Sequence, residues 1–208
     1  MMTFDLIKEA LEKAFIAQMD ATAQWHINEP EALEADTNPL LENITPLVLV
    51  QHLMNFKLWH VEDIARRKDV TPDVIADCKY KIDGLNQRRN DFMEKVDACL
   101  VGMIMPMIGE GEGRHNTESM GMSIDRLSIL SLKMFHMQEQ VERTDVDEAH
   151  VESCRGKLAV LKEQRDDLMR SVFELIDEFA AGSKRPKVYY QFKMYNDPSL
   201  NPELYKNK

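Results

Sequence analysis

An ungapped internal repeat at an offset of 76 residues constrains the fold of this chain more than any other feature of its sequence. Residues 57–96 and 133–172 share 12 identities over 40 aligned positions, and most mismatched apolar or aromatic positions are conservative. Strand-like alternation is nearly absent, whereas helical periodicity is almost continuous. The repeat therefore predicts a duplicated helical hairpin.

Apolar residues at alternating spacings of three and four run along the second helix of each repeat. Such heptad seams pack helices at a shallow angle, as in four-helix bundles. Arg89 and Arg165 interrupt the two seams at equivalent positions, and a charge there must be paired or must reach a ligand or solvent. The seams are Ile75, Cys78, Ile82, Leu85, Arg89, Phe92, Val96 and Cys99, and Val151, Cys154, Leu158, Leu161, Arg165, Leu168, Val172 and Leu175.

We expect one all-α domain over residues 1–208. Its predicted architecture is a pseudo-two-fold four-helix bundle with an N-terminal helix packed on it and a C-terminal extended wrap. Thr45-Pro46 and Thr71-Pro72 each combine an N-cap residue with proline at the first helical position. The predicted segments are a helix over 3–25, repeat 1 over 45–101 with helices 45–68 and 71–101, a flexible glycine-rich connector over 102–121, repeat 2 over 121–181 with helices 123–143 and 144–181, and a tail over 182–208.

Charge and cysteine content limit the classes of partner and compartment. The chain has 26 Lys and Arg against 36 Asp and Glu, and this net charge of −10 argues against broad binding to nucleic acid or anionic membranes. No apolar run is long enough to span a bilayer, and the N-terminus shows no signal-peptide pattern. Three cysteines without CxxC spacing indicate reduced thiols. We therefore expect a cytoplasmic protein without a nucleic-acid partner or a membrane span.

Four sequence blocks resemble the bacterial domain-of-unknown-function family 4254. They lie at residues 52–66, 82–91, 124–130 and 193–198, and the resemblance covers roughly residues 40–205. It implies a helical fold and neighbouring genes of surface-glycan assembly, and it implies no particular reaction. The residues that carry it include His52, Asn55, Trp59, His60, Glu62, Asp63, Arg66, Asp83, Asn86, Gln87, Arg89, Asn90, Asp91, Asp125, Arg126, Ser128, Lys193, Tyr195, Asn196, Asp197 and Pro198.

Hairpin geometry places three arginines and a histidine at one depth in the bundle. At about 1.5 Å rise per residue, Arg89 lies level with His52, and the repeat places Arg165 level with Arg126. Such a layer would bind a small anionic metabolite, a sugar phosphate or a nucleotide sugar, because guanidinium groups pair well with phosphate. The expected ligand-binding residues are His52, Asn55, Asn86, Arg89, Asn90, Asp125, Arg126 and Arg165. The alternative is an internal salt-bridge network that uses Asp91, Asp125, Glu163 and Asp167.

Two histidines lie at equivalent repeat positions nearer the hairpin turns. His60 and His136 are candidates for acid–base catalysis, because histidine titrates near neutral pH. A hydrogen-bonded structural role beside the preceding aromatic residue is the alternative. The sequence identifies no partner for His26.

Acidic residues at helical spacing suggest magnesium as a further alternative. They resemble the ExxE and ExxD carboxylates of all-helical nucleotide pyrophosphohydrolases, and at least three of them should then converge. A solvated acidic helix face explains the same spacing. The sequence has no HExxH and no paired Glu-x-x-His, which argues against a di-iron centre. The candidate magnesium ligands are Glu62, Asp63, Asp91, Glu94 and Asp97.

Three functional interpretations remain open on the sequence alone. The leading one is binding of a small anionic metabolite, with or without turnover, and it requires no cofactor. The second is a magnesium-dependent nucleotide pyrophosphohydrolase-like enzyme. The third is a non-enzymatic assembly factor for glycan-building enzymes, with a purely structural polar layer. A second copy of the chain or glycan-biosynthesis enzymes are the corresponding protein partners.

Overall fold

Five long helices and two short helical segments form the regular structure of residues 2–206, the part of the chain that this computed structural model describes. They pack as a bundle and no β-strand occurs in this range, which confirms the all-α prediction. None of these helices combines the length and the apolar character needed to cross a membrane. The helices are α1 (Phe4–Trp25), α2 (Leu41–Ala65), α3 (Pro72–Ile108), α4 (Met120–Val141), α5 (Glu148–Ala180) and α6 (Pro202–Tyr205), with a 3₁₀ turn at Met194–Asn196.

Two hairpins, α2–α3 and α4–α5, repeat each other in register. The ends of α2 and α4 are 76 residues apart, and so are the starts of α3 and α5. Each turn also contains the same bidentate ion pair, between an arginine and the aspartate two residues later. The pairs are Arg67 with Asp69 and Arg143 with Asp145. The repeat in sequence is therefore a repeat of structure.

α1 packs against α2 and α4 and so connects the two hairpins. The helix begins after Thr3, whose Oγ1 accepts a hydrogen bond from the N–H of Leu6 and satisfies a donor of the first turn. Ile7, Leu11 and Phe15 lie on one face at helical spacing and are fully buried. The core that they enter includes Leu47, Val48, Leu100, Ile104, Ile124, Leu127 and Ile176.

α2 begins before its predicted start. The Thr45-Pro46 signal predicts the first turn there, but the helix begins at Leu41, and Pro46 lies in its second turn. Proline at this position removes one backbone hydrogen bond. The extra turn is held by Asn43, whose amide donates to a loop carbonyl at 3.0 Å, and by Ile44, which enters the core. Tertiary contacts therefore outweigh the local start signal.

α3 continues past its predicted end at Val101 and stops at Ile108. Gly102 is consequently a helical residue and not part of a flexible connector. A Cβ on Gly102 would lie 2.8 Å from the Cβ of Pro39, so glycine allows the loop before α2 to approach α3 closely. The additional turns are buried through residues such as Ile104, which is fully inaccessible to solvent.

The C-terminal tail holds the connector between the hairpins and then follows α3. Nη2 of Arg185 donates to the carbonyl of Gly109 at 2.5 Å, and the backbone of Arg114 pairs with the start of the tail. Farther along, the N–H of Gln191 donates to Oε1 of Glu94 at 2.8 Å. The predicted C-terminal wrap is confirmed.

Candidate functional site

A buried carboxylate, that of Asp125 in α4, organises the polar layer between the two hairpins. Arg89 of α3 binds it through two nitrogens: Nε lies 2.8 Å from Oδ1, and Nη2 donates to Oδ2. The side-chain amides of Gln51 and Asn55 also donate to Oδ1, that of Asn55 at 2.9 Å. The bond to Asp125 raises the pKa of the Arg89 guanidinium. The arginine that interrupts the first seam is therefore paired with an internal carboxylate.

His52 is fully buried, and both of its ring nitrogens have partners. Nδ1 lies 2.7 Å from Oγ of Ser128, and Nε2 lies 3.0 Å from Oγ1 of Thr22 in α1. Burial lowers the pKa of His52 to about 3, so the ring is neutral at ordinary pH. His52 and Ser128 are repeat counterparts, and their hydrogen bond crosses the pseudo-two-fold axis. His52 thus holds the polar layer together and has no nitrogen left for a ligand.

The structure does not bring the three arginines together, so the expected triple-arginine layer does not form. Arg126 is exposed, and its Nη2 lies 2.9 Å from Glu118. Arg165 is turned toward α1, where its Nη2 donates to the carbonyl of Phe15 at 3.0 Å. In the part of the chain that the structure describes, Nε of Arg165 is buried without a hydrogen-bond partner. Burial lowers the pKa of the Arg165 guanidinium.

Two local differences explain this outcome. Arg126 directly follows Asp125, so its side chain leaves α4 about 100° away from the polar layer. The prediction placed Arg126 at the right depth but on the wrong face of the helix. The repeat counterpart of Asp125 is Leu49, so Arg165 has no carboxylate in the place where Arg89 has one. The two seam arginines are equivalent in sequence but not in environment.

Two cavities open beside the polar layer, between the hairpins. The smaller has a volume of about 480 Å³ and is bounded by α2, α3 and α4. The larger has a volume of about 920 Å³ and is bounded by α2, α4 and α5. Trp59 and Asp63 line both cavities and therefore form the wall between them. We call the two cavities together the cleft.

The predicted ligand-binding residues divide between the cleft and its surroundings. Asn55, Asn86 and Arg89 line the smaller cavity. Asn90 lines neither cavity of the cleft, and Arg126 lines a separate one of about 530 Å³ beside α4 and α5. The cleft also contains basic residues that the sequence analysis did not assign to an anion site: Arg66, Lys133 and Lys157.

The five carboxylates considered for magnesium do not converge. Among residues 2–206, no three of them lie within coordination reach of a common ion. Three of them have other partners: Glu62 binds Arg66 at 2.7 Å, Asp91 accepts from Gln87 at 2.8 Å, and Glu94 accepts from the tail. Their spacing along the chain does not produce a metal site in the fold.

Asp97, the third of these acids along α3, anchors the start of α4. Its Oδ1 accepts the N–H of Gly121, the second residue of α4, at 2.7 Å. Negative charge near a helix N-terminus is favourable. Burial nonetheless raises the pKa of Asp97 to about 6.

His60 and His136 meet in the structure, and His26 joins them. The ring centroid of His26 lies 5.1 Å from that of His60 and 4.9 Å from that of His136. One potential ligand atom from each ring lies within 4.8 Å of the other two. Within the described part of the chain, no other group of histidine, cysteine or acidic side chains is arranged in this way. His26 follows α1, outside the repeat, so no pattern in the sequence connects it with the other two.

Hydrogen bonds fix the tautomers of two of these rings. Nδ1 of His26 lies 2.6 Å from the carbonyl oxygen of Thr22, and Nδ1 of His136 lies 2.7 Å from a carboxylate oxygen of Glu139. Both Nδ1 atoms must therefore carry a proton. Nε2 is buried in each ring and has no hydrogen-bond partner among residues 2–206. Burial and the two neighbouring rings lower the pKa of His60.

Comparison with known proteins assigns the chain to a family. The family described as "Protein of unknown function (DUF4254)" matches residues 45–188, more than half of the chain. The chain belongs to this family. No curated protein and no solved structure matches it. The family resemblance is therefore confirmed; three of the four sequence blocks lie within the match, and the block at residues 193–198 lies outside it.

The DUF4254 match spans the two hairpins and the connector between them. It includes the pair formed by Arg89 and Asp125, the cleft, and two of the three clustered histidines. His26 lies in the N-terminal segment that the match does not cover. The histidine cluster thus combines the DUF4254 segment with α1.

Proposed function

We propose that this DUF4254 protein binds a small phosphorylated metabolite, a sugar phosphate or a nucleotide sugar, in the cleft. The position of Arg89 carries the proposal. Asp125 engages Nε and Nη2 of this arginine, while its Nη1 makes no hydrogen bond to the described residues. Arg89 also lines the smaller cavity. A guanidinium held in place by a carboxylate is preorganised to receive an anion.

The charges of the smaller cavity favour a ligand that carries hydroxyl groups as well as phosphate. Arg66 and Arg89 supply two positive charges there, Glu62 and Asp63 supply two negative ones, and Asp125 behind Arg89 adds a third negative charge. Because the charges of this group do not sum to a positive value, inorganic phosphate alone gains little net attraction. The carboxylates and the amide of Asn86 can instead accept hydrogen bonds from sugar hydroxyls. A sugar phosphate uses both kinds of group.

The larger cavity provides room for a second part of the ligand. Trp59 lines both cavities, with one face of its ring stacked on His136, and Lys133 and Lys157 line the larger one. Both volumes fall within the range of about 300–1,000 Å³ that is typical of small-molecule sites. A nucleotide sugar matches this arrangement, with a base or sugar ring against Trp59 and phosphates near the basic residues. Such a ligand would suit a role in surface-glycan biosynthesis.

The other interpretations differ in their support. The magnesium-dependent pyrophosphohydrolase lacks converging carboxylates, so nothing in the arrangement of these side chains favours it. A non-enzymatic assembly factor needs no ligand in the cleft. A negative binding experiment would favour that interpretation over ours.

The proposal is tested by thermal-shift and calorimetric titration with inorganic phosphate, hexose phosphates and uridine, guanosine and thymidine diphosphate sugars. A ligand at a hundred times its dissociation constant should stabilise the protein by about 2.7 kcal/mol. Arg66→Gln should weaken binding because it removes a cation from the cleft without disturbing the core. Arg67→Gln is the matched control, since the neighbouring Arg67 pairs with Asp69 in the turn.

We expect a sugar phosphate or nucleotide sugar to bind more tightly than inorganic phosphate. The binding should be weakened by Arg66→Gln and unchanged by Arg67→Gln. Absence of binding by every compound would contradict the proposal. So would binding that Arg66→Gln and Asn86→Ala both leave intact, because the ligand would then lie elsewhere.

A further inference from the structure

The cluster of His26, His60 and His136 has a chemistry that the proposed cleft ligand does not use. We propose that these three histidines form a binding site for one divalent transition-metal ion of the Zn²⁺ class. Imidazole nitrogens without carboxylates favour zinc, cobalt, nickel or copper over magnesium and calcium. His136 and Glu139 also line the larger cavity of the cleft, so the two sites adjoin. The inference rests on the histidine nitrogens and does not depend on the proposed function.

The spacing of the three rings is close to what a metal ion requires. Zinc binds histidine nitrogen at about 2.0–2.1 Å, so tetrahedral ligands lie about 3.3 Å from one another. The potential ligand atoms of the three rings already lie within 4.8 Å of one another. Closing the site therefore requires these separations to shrink by about 1.5 Å at most.

The two unpartnered Nε2 atoms are the strongest evidence for the site. Buried polar atoms normally have a partner, and an exception calls for an explanation. In His26 and His136, Nδ1 donates to Thr22 and to Glu139, which leaves the lone pair of each Nε2 directed away from these bonds. A metal-ligating histidine typically has this arrangement, with its other nitrogen donating to a carbonyl or carboxylate. A bound ion would satisfy both atoms at once.

The surroundings of the cluster support an ion held between helices. The three ligands come from the end of α1, from α2 and from α4, and His60 and His136 are repeat counterparts. The ring of His26 stacks on Phe135 with centroids 4.0 Å apart, and that of His136 stacks on Trp59 at 4.7 Å. These aromatic contacts fix the rings. Three protein ligands leave a fourth coordination position for water or another ligand.

The experiment uses Co²⁺ alone as the probe, added to the metal-free chain. We expect one Co²⁺ per chain with the visible absorption of tetrahedral nitrogen coordination, and its displacement by one equivalent of Zn²⁺. His60→Gln and His136→Gln should each weaken binding by about a hundredfold or more, since loss of an outer-shell partner alone costs about 10–100-fold. Glu139→Gln should weaken it by about 10–100-fold. His115→Gln is the control, because His115 is exposed and lies outside the cluster.

A second measurement does not depend on the folding of any variant. One equivalent of Zn²⁺ should raise the melting temperature of the wild-type chain, and the same concentration of Mg²⁺ should not. Absence of a tetrahedral spectrum at one equivalent, or a melting temperature that Zn²⁺ leaves unchanged, would overturn the proposal. Unchanged affinity in folded His60→Gln and His136→Gln variants would do the same. Because no organic ligand is present, the result is independent of binding in the cleft.

Discussion

At the scale of single residues, the number of hydrogen-bond partners distinguishes one buried charge from another. Asp125 accepts four hydrogen bonds from three side chains, and this network compensates for its burial. Arg165 has only a backbone carbonyl, although it occupies the same seam position as Arg89. Leu49 lies at the repeat counterpart of Asp125, so Arg165 has no carboxylate there to pair with. The sequence could predict that both arginines need a partner, but not which one lacks a carboxylate.

Two buried titratable groups should give opposite contributions to stability as the pH changes. The pKa of Asp97 is raised from 3.8 to about 6, so its contribution is present below about pH 4 and is lost as the pH rises through 6. The pKa of His52 is lowered from 6.5 to about 3, so its contribution is present above 6.5 and is lost as the pH falls toward 3. Within its window each contributes a slope of about 1.4 kcal/mol per pH unit.

Melting temperatures between pH 4 and pH 8 test this prediction in the wild type, Asp97→Asn and His52→Asn. From pH 4 to pH 6, the wild type should lose stability relative to Asp97→Asn. From pH 6.5 downward, it should lose stability relative to His52→Asn. The difference in melting temperature between wild type and each variant should change across these windows. A difference that stays constant, or that changes with the opposite sign, would show that the pKa values of Asp97 and His52 are not shifted as described.

At the scale of the helices, sequence signals predict the start of α3 but miss several other ends by three to seven residues. Thr71-Pro72 predicts the start at Pro72, whereas the helix predicted from residue 144 begins at Glu148. The start of α2 and the end of α3 depend on contacts with residues distant in sequence, such as Pro39 against Gly102. The histidine cluster could not be predicted for the same reason, since His26 reaches it only through the packing of α1.

The close approach of α3 and α4 predicts a specific effect of substitution at Gly121. A Cβ there would lie 2.4 Å from the backbone oxygen of Met93, so Gly121→Ala must push the two helices apart. We expect a loss of about 1–3 kcal/mol in the free energy of unfolding, measured with urea. Gly84→Ala is the matched control, because a Cβ at Gly84 meets nothing within 4 Å. It should stabilise α3 by about 0.5–1 kcal/mol. Equal stability of the two variants would contradict the described packing.

At the scale of the whole molecule, duplication provides the architecture, and later differences between the repeats provide the cleft. Both hairpins keep the same turns and helix register. The repeat counterpart of Asp125 is nevertheless not acidic, and that of Asn86 is Lys162. The cleft is therefore asymmetric, as a binding site for one ligand should be. Hairpin geometry could predict the depth of the polar layer from the sequence. It could not predict which face of its helix each side chain occupies, because successive residues along a helix are rotated by about 100°.

The fluorescence of Trp59 tests ligand binding in the cleft most directly. The chain has two tryptophans, so Trp25→Phe leaves Trp59, which lines both cavities, as the only one. Titration of this variant with hexose phosphates and nucleotide diphosphate sugars should give a saturable change in emission, and the additional change Arg66→Gln should shift the midpoint to higher ligand concentration. Emission that stays constant for every compound in the folded variant would contradict a phosphorylated metabolite bound between the hairpins.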